Sequence, residues 1–483
     1  MKFKTTIYTF IFVTASVFAL SSCEKFFDPD TQTMLREDEN YTDYLTSRAS
    51  VNGLYSLMQD VMDTYIINGE LKGDMLKITS ERDKDLSSIY RMDYSLPNKY
   101  LEILPFYTII ANANDVIFHL ENEMSRGTSY DEELKNMHAE AILVRTWIYF
   151  YLIRNYRNVP FLDEDYTATG SAEGIDSWID SHSSSYTDVN NLIADIAFVR
   201  DELIPAAYTN SQFFNIASAN AMLGEMYLWK NDYPNAIDAL LASANAADKS
   251  RFILDSDLEN TKWQNIFKGD ESAADEIMTK IIYSKGDKQQ NELLNIFSSI
   301  NPEGFLVAPV EESLYALEGT YRFDGTFSNN EVRKYTRSLD NPYTSDMPVI
   351  LYRAADVHLM LAEAYNRMGE VGLALDLLNN GSDVLFTAFS KGVRGRVKLE
   401  PVKVDGTDLQ DSIIDLENKI LQERANEMAF EGKRWYDLVR IATRRGDQEF
   451  IAQMMKKKYP GFEISVLEEF YGNPENWFIN LDY

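Results

Sequence analysis

Two stretches of the chain show the same alternation of small and large side chains at helical spacing. The first covers residues 219–240 and the second covers residues 361–378. In both, apolar residues recur every three or four positions, as on the buried face of a helix. In the first stretch, Gly224 and Ala236 stand where two helices would touch, and such small residues permit close packing. Each stretch is therefore predicted to form a pair of packed helices.

The helix pairs have the residue pattern of tetratricopeptide-type pairs, but they do not form a tandem array. Tyr227 and Tyr365, which occupy matching positions, are separated by far more than the repeat length of about 34 residues. Residues 137–156 predict a further long amphipathic helix. The chain has only 22 glycines and 13 prolines, which interrupt helices, so we expect a mainly α fold. An ordinary helical bundle is the alternative, and the second matching copy favours tetratricopeptide-type pairs.

Long segments between these helices have a different composition. Residues 161–190 and 257–345 mix Ser, Asn, Asp and Gly with aromatic residues, which is typical of irregular loops. Met278–Ser284 is the best candidate for a short strand. The expected fold class is thus mainly α, with helix pairs and long irregular loop insertions that carry a few short strands. In helical scaffolds, insertions of this length often carry the binding function.

The first 22 residues have the features of an export signal. Lys2 and Lys4 precede an apolar run without charges, Ile7–Leu20, which is too short to span a membrane comfortably. The run ends in Leu20-Ser21-Ser22-Cys23, which resembles a bacterial lipobox. That resemblance implies cleavage before Cys23 and lipidation of this cysteine, because several acyl chains together anchor a protein stably. The alternative is an ordinary secreted protein with a free thiol at this position.

Composition and missing motifs exclude several classes of function. The formal charge of −30 argues against binding to nucleic acid, which depends on Lys and Arg. One cysteine excludes a disulfide framework, and the four histidines show no HExxH spacing. No nucleophile elbow, phosphate-binding loop or dinucleotide fingerprint is present. We therefore predict no catalytic residues, no metal and no cofactor, and we do not expect an enzyme.

A segment near the C-terminus carries the most specific motif. Residues 423–440 read ERANEMAFEGKRWYDLVR, which resembles the signature ERxxELxxEGxRWxDLxR of the SusD/RagB family of outer-membrane nutrient-uptake lipoproteins. Residues 351–364 and 139–156 are similar to two further helical motifs of that family. The chain departs from the family pattern at Arg157, Asp356 and Met428. With the lipobox, the resemblance extends over nearly the whole chain and implies a SusD-like helical fold.

The signature itself is interpreted as structural. Its glutamates are spaced i, i+4 and i+8, which predicts that they share one helix face among arginines. Glutamate pairs can hydrolyse glycosides, but carboxylates surrounded by arginines are more typical of ion-pair scaffolds. The glycine is expected to end the helix and the tryptophan to enter the core. The signature residues are Glu423, Arg424, Glu427, Glu431, Gly432, Arg434, Trp435, Asp437 and Arg440.

The resemblance also implies a domain organisation. We expect a lipoprotein signal peptide, a lipidated tether and a single helical domain whose middle part is the loop-rich insertion. The corresponding ranges are 1–22 for the signal, 23–40 for the tether and 41–483 for the domain, which is divided into 41–256, 257–345 and 346–483.

For function, the resemblance implies capture of an extracellular nutrient, most often an oligosaccharide or polysaccharide. The protein would be lipid-anchored at the surface of the outer membrane and would deliver its ligand to a SusC-like TonB-dependent barrel. Capture of peptides, a lipid-anchored glycan-degrading enzyme and a purely structural adaptor are the alternatives. The acidic charge favours neutral sugars over anionic ones.

Aromatic residues make up 13% of the chain, and sugars stack their C–H faces on aromatic rings while polar side chains bind their hydroxyls. The candidate ligand-binding residues are therefore those of the predicted loops in which aromatic and polar side chains mix. In the early loops they are Glu70, Asp74, Arg82, Tyr90, Tyr94 and Tyr100, and in the long insertion Trp263, Phe297, Phe305, Tyr321, Phe323 and Tyr343.

Overall fold

A computed structural model describes residues 44–480 of the chain apart from several internal gaps. The residues left out within this span are 96, 128, 163–173, 175–187, 206–208, 247–251, 253, 255–259, 269–275, 285, 299–305, 311–320, 329, 336–345 and 448. Cys23 and the whole predicted signal and tether therefore lie outside the described residues.

Helices form most of the described chain, which confirms the predicted fold class. In chain order they are α1 (Tyr44–Gln59), α2 (Met62–Glu70), α3 (Lys84–Arg91), α4 (Leu104–Met124), α5 (Asp131–Tyr156), α6 (Val189–Phe198), α7 (Ile216–Trp229), α8 (Tyr233–Ala244), α9 (Asn260–Lys268), α10 (Leu293–Phe297), α11 (Tyr321–Thr326), α12 (Ala354–Arg367), α13 (Val371–Leu378), α14 (Leu409–Glu427), α15 (Arg434–Arg445), α16 (Glu449–Met455) and α17 (Ile464–Tyr471). None of the helices in the described part of the chain has the length and continuous apolar character that crossing a bilayer requires.

Strands are few and short, as the sequence predicts. They are β1 (Leu76–Ile78), β2 (Ile277–Ile281), β3 (Val307–Pro309), β4 (Phe327–Ser328), β5 (Glu331–Val332) and β6 (Val349–Arg353). Within the described residues they form antiparallel pairs, β1 with β3, β2 with β6 and β4 with β5. In the β2–β6 pair, Ile277 lies opposite Arg353, and β2 ends at Ile281 rather than continuing to Ser284.

The long helix α5 lies at the centre of the N-terminal part. The sequence predicts an amphipathic helix over residues 137–156, but every residue of this range is buried. The reason is that α1, α4 and α6 all pack against α5, so no face is left for solvent. Its length and type follow from local sequence, whereas its complete burial depends on these neighbours.

Both predicted helix pairs are present, as α7 with α8 and α12 with α13. The side chain of Asn215 caps α7 by accepting hydrogen bonds from the backbone N–H groups of Ala217 and Ser218, at 3.0 and 3.2 Å. A Cβ atom on Gly224 would lie 2.5 Å from the side chain of Leu240, so the glycine permits the close approach of α7 and α8. Helix α8 also packs against α12, which brings the two pairs together in space.

The C-terminal part of the chain returns to the N-terminal part at a contact between two glycine backbones. Gly432 has a φ of +78°, which favours glycine, and lies in the turn between α14 and α15. A Cβ atom on Gly69 of α2 would lie 2.2 Å from the carbonyl oxygen of Gly432. Helices α2 and α15 can therefore pack together only because both positions lack a side chain.

Candidate functional site

The signature glutamates lie at the end of α14 and in the turn that follows it. The sequence predicts all three on one helix face, but α14 ends at Glu427 and Glu431 lies beyond it. Phe430 and Gly432 both have positive φ angles and redirect the backbone there. Arg353 nevertheless joins the two glutamates, donating to Glu427 Oε1 at 2.8 Å and to Glu431 Oε2 at 2.9 Å.

Around Glu427, buried carboxylates and cations form one ion-pair network. Arg322 contacts Glu427 at 2.7 Å, and Lys334 contacts Glu431 at 2.6 Å. Burial by itself raises the pKa of Glu427, but the guanidinium groups of Arg396, Arg353 and Arg322 more than offset this and hold the pKa well below its usual range. Glycoside hydrolysis requires a carboxylic acid of raised pKa as proton donor. Glu427 is therefore unsuited to that role, and the network joins structural elements.

The second half of the signature forms a similar cluster between α12, α14 and α15. Arg424 donates to Asp356 at 2.9 Å and to Asp437 at 2.8 Å, and Arg440 donates to Asp437 at 2.7 Å. Arg440 also forms an ion pair with Glu363. The indole of Trp435 is fully buried in the core. The signature thus occupies the interior of the protein along its whole length.

Two of the ligand candidates, Glu70 and Asp74, belong to this interior. Glu70 Oε1 accepts hydrogen bonds from the backbone N–H groups of Lys433 and Arg434, at 3.0 and 3.4 Å. Asp74 binds the guanidinium of Arg434 through both oxygens, at 2.7 and 3.0 Å. Burial raises the pKa of Glu70 to about 8, although the backbone hydrogen bonds oppose this shift. Both carboxylates hold the turn before α15 and neither is exposed to a ligand.

Three aromatic candidates also lie in the core rather than on a surface. Trp263, Phe297 and Tyr100 are no more than 1% exposed. Trp263 packs against Phe267 at 5.3 Å, and Phe297 stacks on Tyr335 at 5.8 Å. The sequence does not distinguish buried aromatic residues from surface ones, because the same residue types occur in both places. Only the tertiary contacts decide which aromatic side chains are buried.

The remaining candidates do not converge on one place. Arg82 is exposed, Tyr94 and Tyr90 are half-buried against the core, and Phe323 packs on Phe327 with ring centroids 4.6 Å apart. Further candidates lie outside the described residues: Phe305, Tyr343 and the side chain of Tyr321, which begins α11. In the part of the chain that the structure describes, no group of three or more His, Cys, Asp or Glu side chains is arranged to hold a metal ion.

A surface pocket lies between the end of α3 and the C-terminal segment that includes α17. Its volume is about 310 Å³, and most of its lining is aromatic or aliphatic. We call it the aromatic pocket, and its lining residues are Arg91, Tyr459, Phe462, Val466, Leu467, Phe470 and Tyr471. None of these residues is among the candidates predicted from the sequence. The available signal was the group of four aromatic residues between positions 459 and 471.

Contacts with the core hold the floor of the aromatic pocket. The ring of Tyr459 packs on Tyr90 at 5.1 Å, and its hydroxyl donates to the carbonyl oxygen of Tyr90. The ammonium of Lys458 lies 4.6 Å from the Tyr90 ring and donates to the carbonyl of Gly73 at 2.8 Å. Burial lowers the pKa of Lys458 to about 7, and Asp74 opposes this shift. The pocket is therefore attached directly to the buried region around Asp74.

Comparisons with known proteins agree with this fold and signature. Residues 312–474 match the model of the SusD family. SusD-like protein P38 of Formosa agariphila is 23% identical over 91% of this chain and 92% of its own length, and SusD-like protein P2 of the same organism is 23% identical over 82% and 83%. The chain is thus similar to SusD-like proteins over most of its length, in agreement with its motifs.

Solved structures show the same architecture. A SusD superfamily protein from Bacteroides vulgatus has a TM-score of 0.66 at 14% identity, covering 91% of this chain and 96% of its own. A laminarin-binding SusD-like protein has a TM-score of 0.61 at 18% identity, covering 88% and 95%. These structural matches show that the chain has the fold of SusD superfamily proteins.

Proposed function

We propose that this chain is a lipid-anchored protein of the outer-membrane surface that binds a nutrient glycan and delivers it to a SusC-like TonB-dependent transporter. The glycan is an oligosaccharide or a polysaccharide. The SusD-like architecture, shared over nearly the whole chain with a laminarin-binding protein, is the observation that carries the proposal.

The described structure suits a protein that binds without catalysis. Its carboxylate-rich signature is buried and paired with arginine and lysine, which stiffens the scaffold instead of forming a reactive site. The aromatic pocket offers rings at the surface, and rings of this kind stack on the C–H faces of sugars.

Calorimetric titration of the purified chain lacking residues 1–22 tests glycan binding. The panel contains laminarin, other neutral polysaccharides, one polyuronide and a set of peptides. We expect saturable binding to at least one neutral glycan and no products when the mixture is analysed by chromatography. Binding confined to peptides would replace the glycan proposal with peptide capture, and accumulating sugar products would reveal an enzyme.

Co-purification from outer membranes tests the delivery role. A tagged chain should retain a TonB-dependent barrel protein after mild detergent extraction. A chain that binds glycan but retains no barrel would contradict delivery and leave glycan binding in place.

Substitution of Cys23 tests the anchor. Cys23→Ala should release the protein from the membrane fraction, because no acyl chains can be attached. The matched control is Ser22→Ala, which keeps a small residue before the cleavage site and should leave the protein in the membrane. Membrane retention of Cys23→Ala would rule out lipidation at this residue.

A further inference from the structure

We propose that the aromatic pocket is a sugar-binding site of this protein. One sugar ring of a neutral glycan stacks on the exposed ring of Phe462, while Arg91 and Glu81 at the rim bind its hydroxyls. This inference rests on the proposed glycan-binding function and assigns it to a place in the fold.

The exposure of Phe462 is the first argument. Its side chain is 53% exposed, whereas Tyr471 of the same segment is buried and Tyr459 and Phe470 are half-buried. A large ring that stays in water at the mouth of a concave pocket is available to a ligand, and it gains free energy when a ligand covers it. The ring of Phe470, which packs edge to face on Tyr471 at 5.0 Å, supplies a second aromatic wall.

The size of the pocket sets the size of the ligand. A volume of about 310 Å³ is at the lower end of the range for small-molecule sites, roughly 300–1,000 Å³. The pocket can therefore hold a short stretch of a glycan chain, and a longer polysaccharide would continue outward past the rim.

The polar groups at the rim match sugar hydroxyls. Arg91, the last residue of α3, forms an ion pair with Glu81, and both side chains are more than half exposed. A sugar hydroxyl can both donate and accept hydrogen bonds. A guanidinium can donate to its oxygen, and a carboxylate can accept from its O–H group.

The charges around the pocket favour a neutral glycan. The guanidinium of Arg91 is offset by the carboxylate of Glu81. Glu463 and Glu469, which flank the lining residues, are exposed. The guanidinium in the pocket lining is already paired, so a polyanionic glycan would gain little attraction from it and would be repelled by the nearby carboxylates.

The pocket is also ordered before a ligand arrives. The ammonium of Lys456 donates to the carbonyl oxygens of Phe462 and Pro460, and the Phe462 N–H donates to the Tyr459 carbonyl at 3.1 Å. These bonds hold the loop between α16 and α17 that carries Phe462. Little conformational entropy is then lost on binding, because the aromatic surface already has its shape.

Phe462→Ala tests the proposal directly. The matched control is Phe389→Ala, because Phe389 is similarly exposed, at 52%, but does not line the pocket. Titration uses the neutral glycan that the unaltered chain binds best. We expect roughly tenfold weaker binding for Phe462→Ala, the size of a typical stacking contribution. Phe389→Ala should bind like the unaltered chain, and Phe462→Trp, which restores a ring, should recover most of the affinity.

Arg91→Ala and Glu81→Gln should each weaken binding several-fold. Melting temperatures of all variants confirm that they fold.

The outcomes separate this inference from the function on which it rests. If the unaltered chain binds glycan and Phe462→Ala binds it equally well, the site assignment is overturned and the proposed function stands. If the unaltered chain binds no glycan, the proposed function fails and the sugar assignment fails with it. Tighter binding of the polyuronide than of any neutral glycan would overturn the charge argument. Equal losses in Phe462→Ala and Phe389→Ala would overturn the stacking role of Phe462.

Discussion

Glu70 is a buried carboxylate that is held mainly by backbone N–H groups. Burial raises its pKa to about 8 from an ordinary value of 4.5, while hydrogen bonds from Lys433, Arg434 and Gly432 oppose the shift. The folded protein therefore keeps a proton on Glu70 over a pH range in which the unfolded chain has lost it. Glu70 therefore contributes to a dependence of the fold's stability on pH.

The sign of that dependence follows from the raised pKa. The contribution of Glu70 to stability is fully present below pH 4.5 and is lost as pH rises toward about 8. We expect the free energy of unfolding of the unaltered chain, relative to Glu70→Gln, to fall between pH 5 and pH 8. Urea unfolding of both chains at several pH values measures this difference and cancels the titration of unrelated groups. A difference that does not change with pH would contradict the prediction.

Gly432 shows how one missing side chain decides local packing. A Cβ atom at this position would lie 2.6 Å from the Tyr65 ring, and the backbone has a φ of +78°. Gly432→Ala should therefore lose about 2–5 kcal/mol of stability through strain and overpacking together. Gly446→Ala is the matched control, since its φ of +61° is also positive but a Cβ there meets nothing within 4 Å. It should lose only about 1 kcal/mol. Chemical denaturation measures both, and equal losses would show that contact with Tyr65 is unimportant.

At the level of secondary-structure elements, the ion-pair network connects strands, a helix and a turn through Arg353. Arg353 at the end of β6 reaches Glu276 beside β2, Glu427 at the end of α14 and Glu431 in the turn that follows. The elements it joins are distant in sequence. Helix pairs could be predicted because their periodicity is local, whereas this network could not, because its partners meet only in the folded chain.

Removing one member of the network should be costly. Arg353→Met removes the cation that contacts Glu276, Glu427 and Glu431 together, and we expect a loss of about 3–5 kcal/mol. The control is Arg200→Met, which breaks an exposed pair with Asp201 and should change stability by less than about 1 kcal/mol. Urea denaturation of both variants checks the contrast. Similar small losses in both would mean that the buried pairs contribute no more than surface ones.

At the scale of the whole molecule, the two ends of the described chain pack into one core. The side-chain amide of Asn155 in α5 donates to the hydroxyl of Tyr436 in α15 at 2.7 Å, and the backbone carbonyl of Asn155 accepts from the N–H of Ile479 at 2.8 Å. These contacts link the predicted N-terminal and C-terminal parts of the domain directly.

This interlocking predicts cooperative unfolding. The chain lacking residues 1–40 should unfold in one transition, with circular dichroism and tryptophan fluorescence giving the same midpoint, because neither end can retain its core without the other. Separate midpoints would indicate that a part such as residues 257–345 unfolds by itself and would contradict the single-domain prediction.

The sequence by itself determined the mainly helical class, the two helix pairs and the SusD-like signature, because periodicity and motif spacing are local properties of the chain. It also carried the lipobox at Cys23, which remains a prediction. Only the tertiary structure decided which carboxylates and aromatics are interior. Glu70, Asp74 and Trp263 are buried, while Phe462 stands at the mouth of a pocket. Residue type specifies what a side chain can bind, but contacts between distant segments decide whether a ligand can reach it.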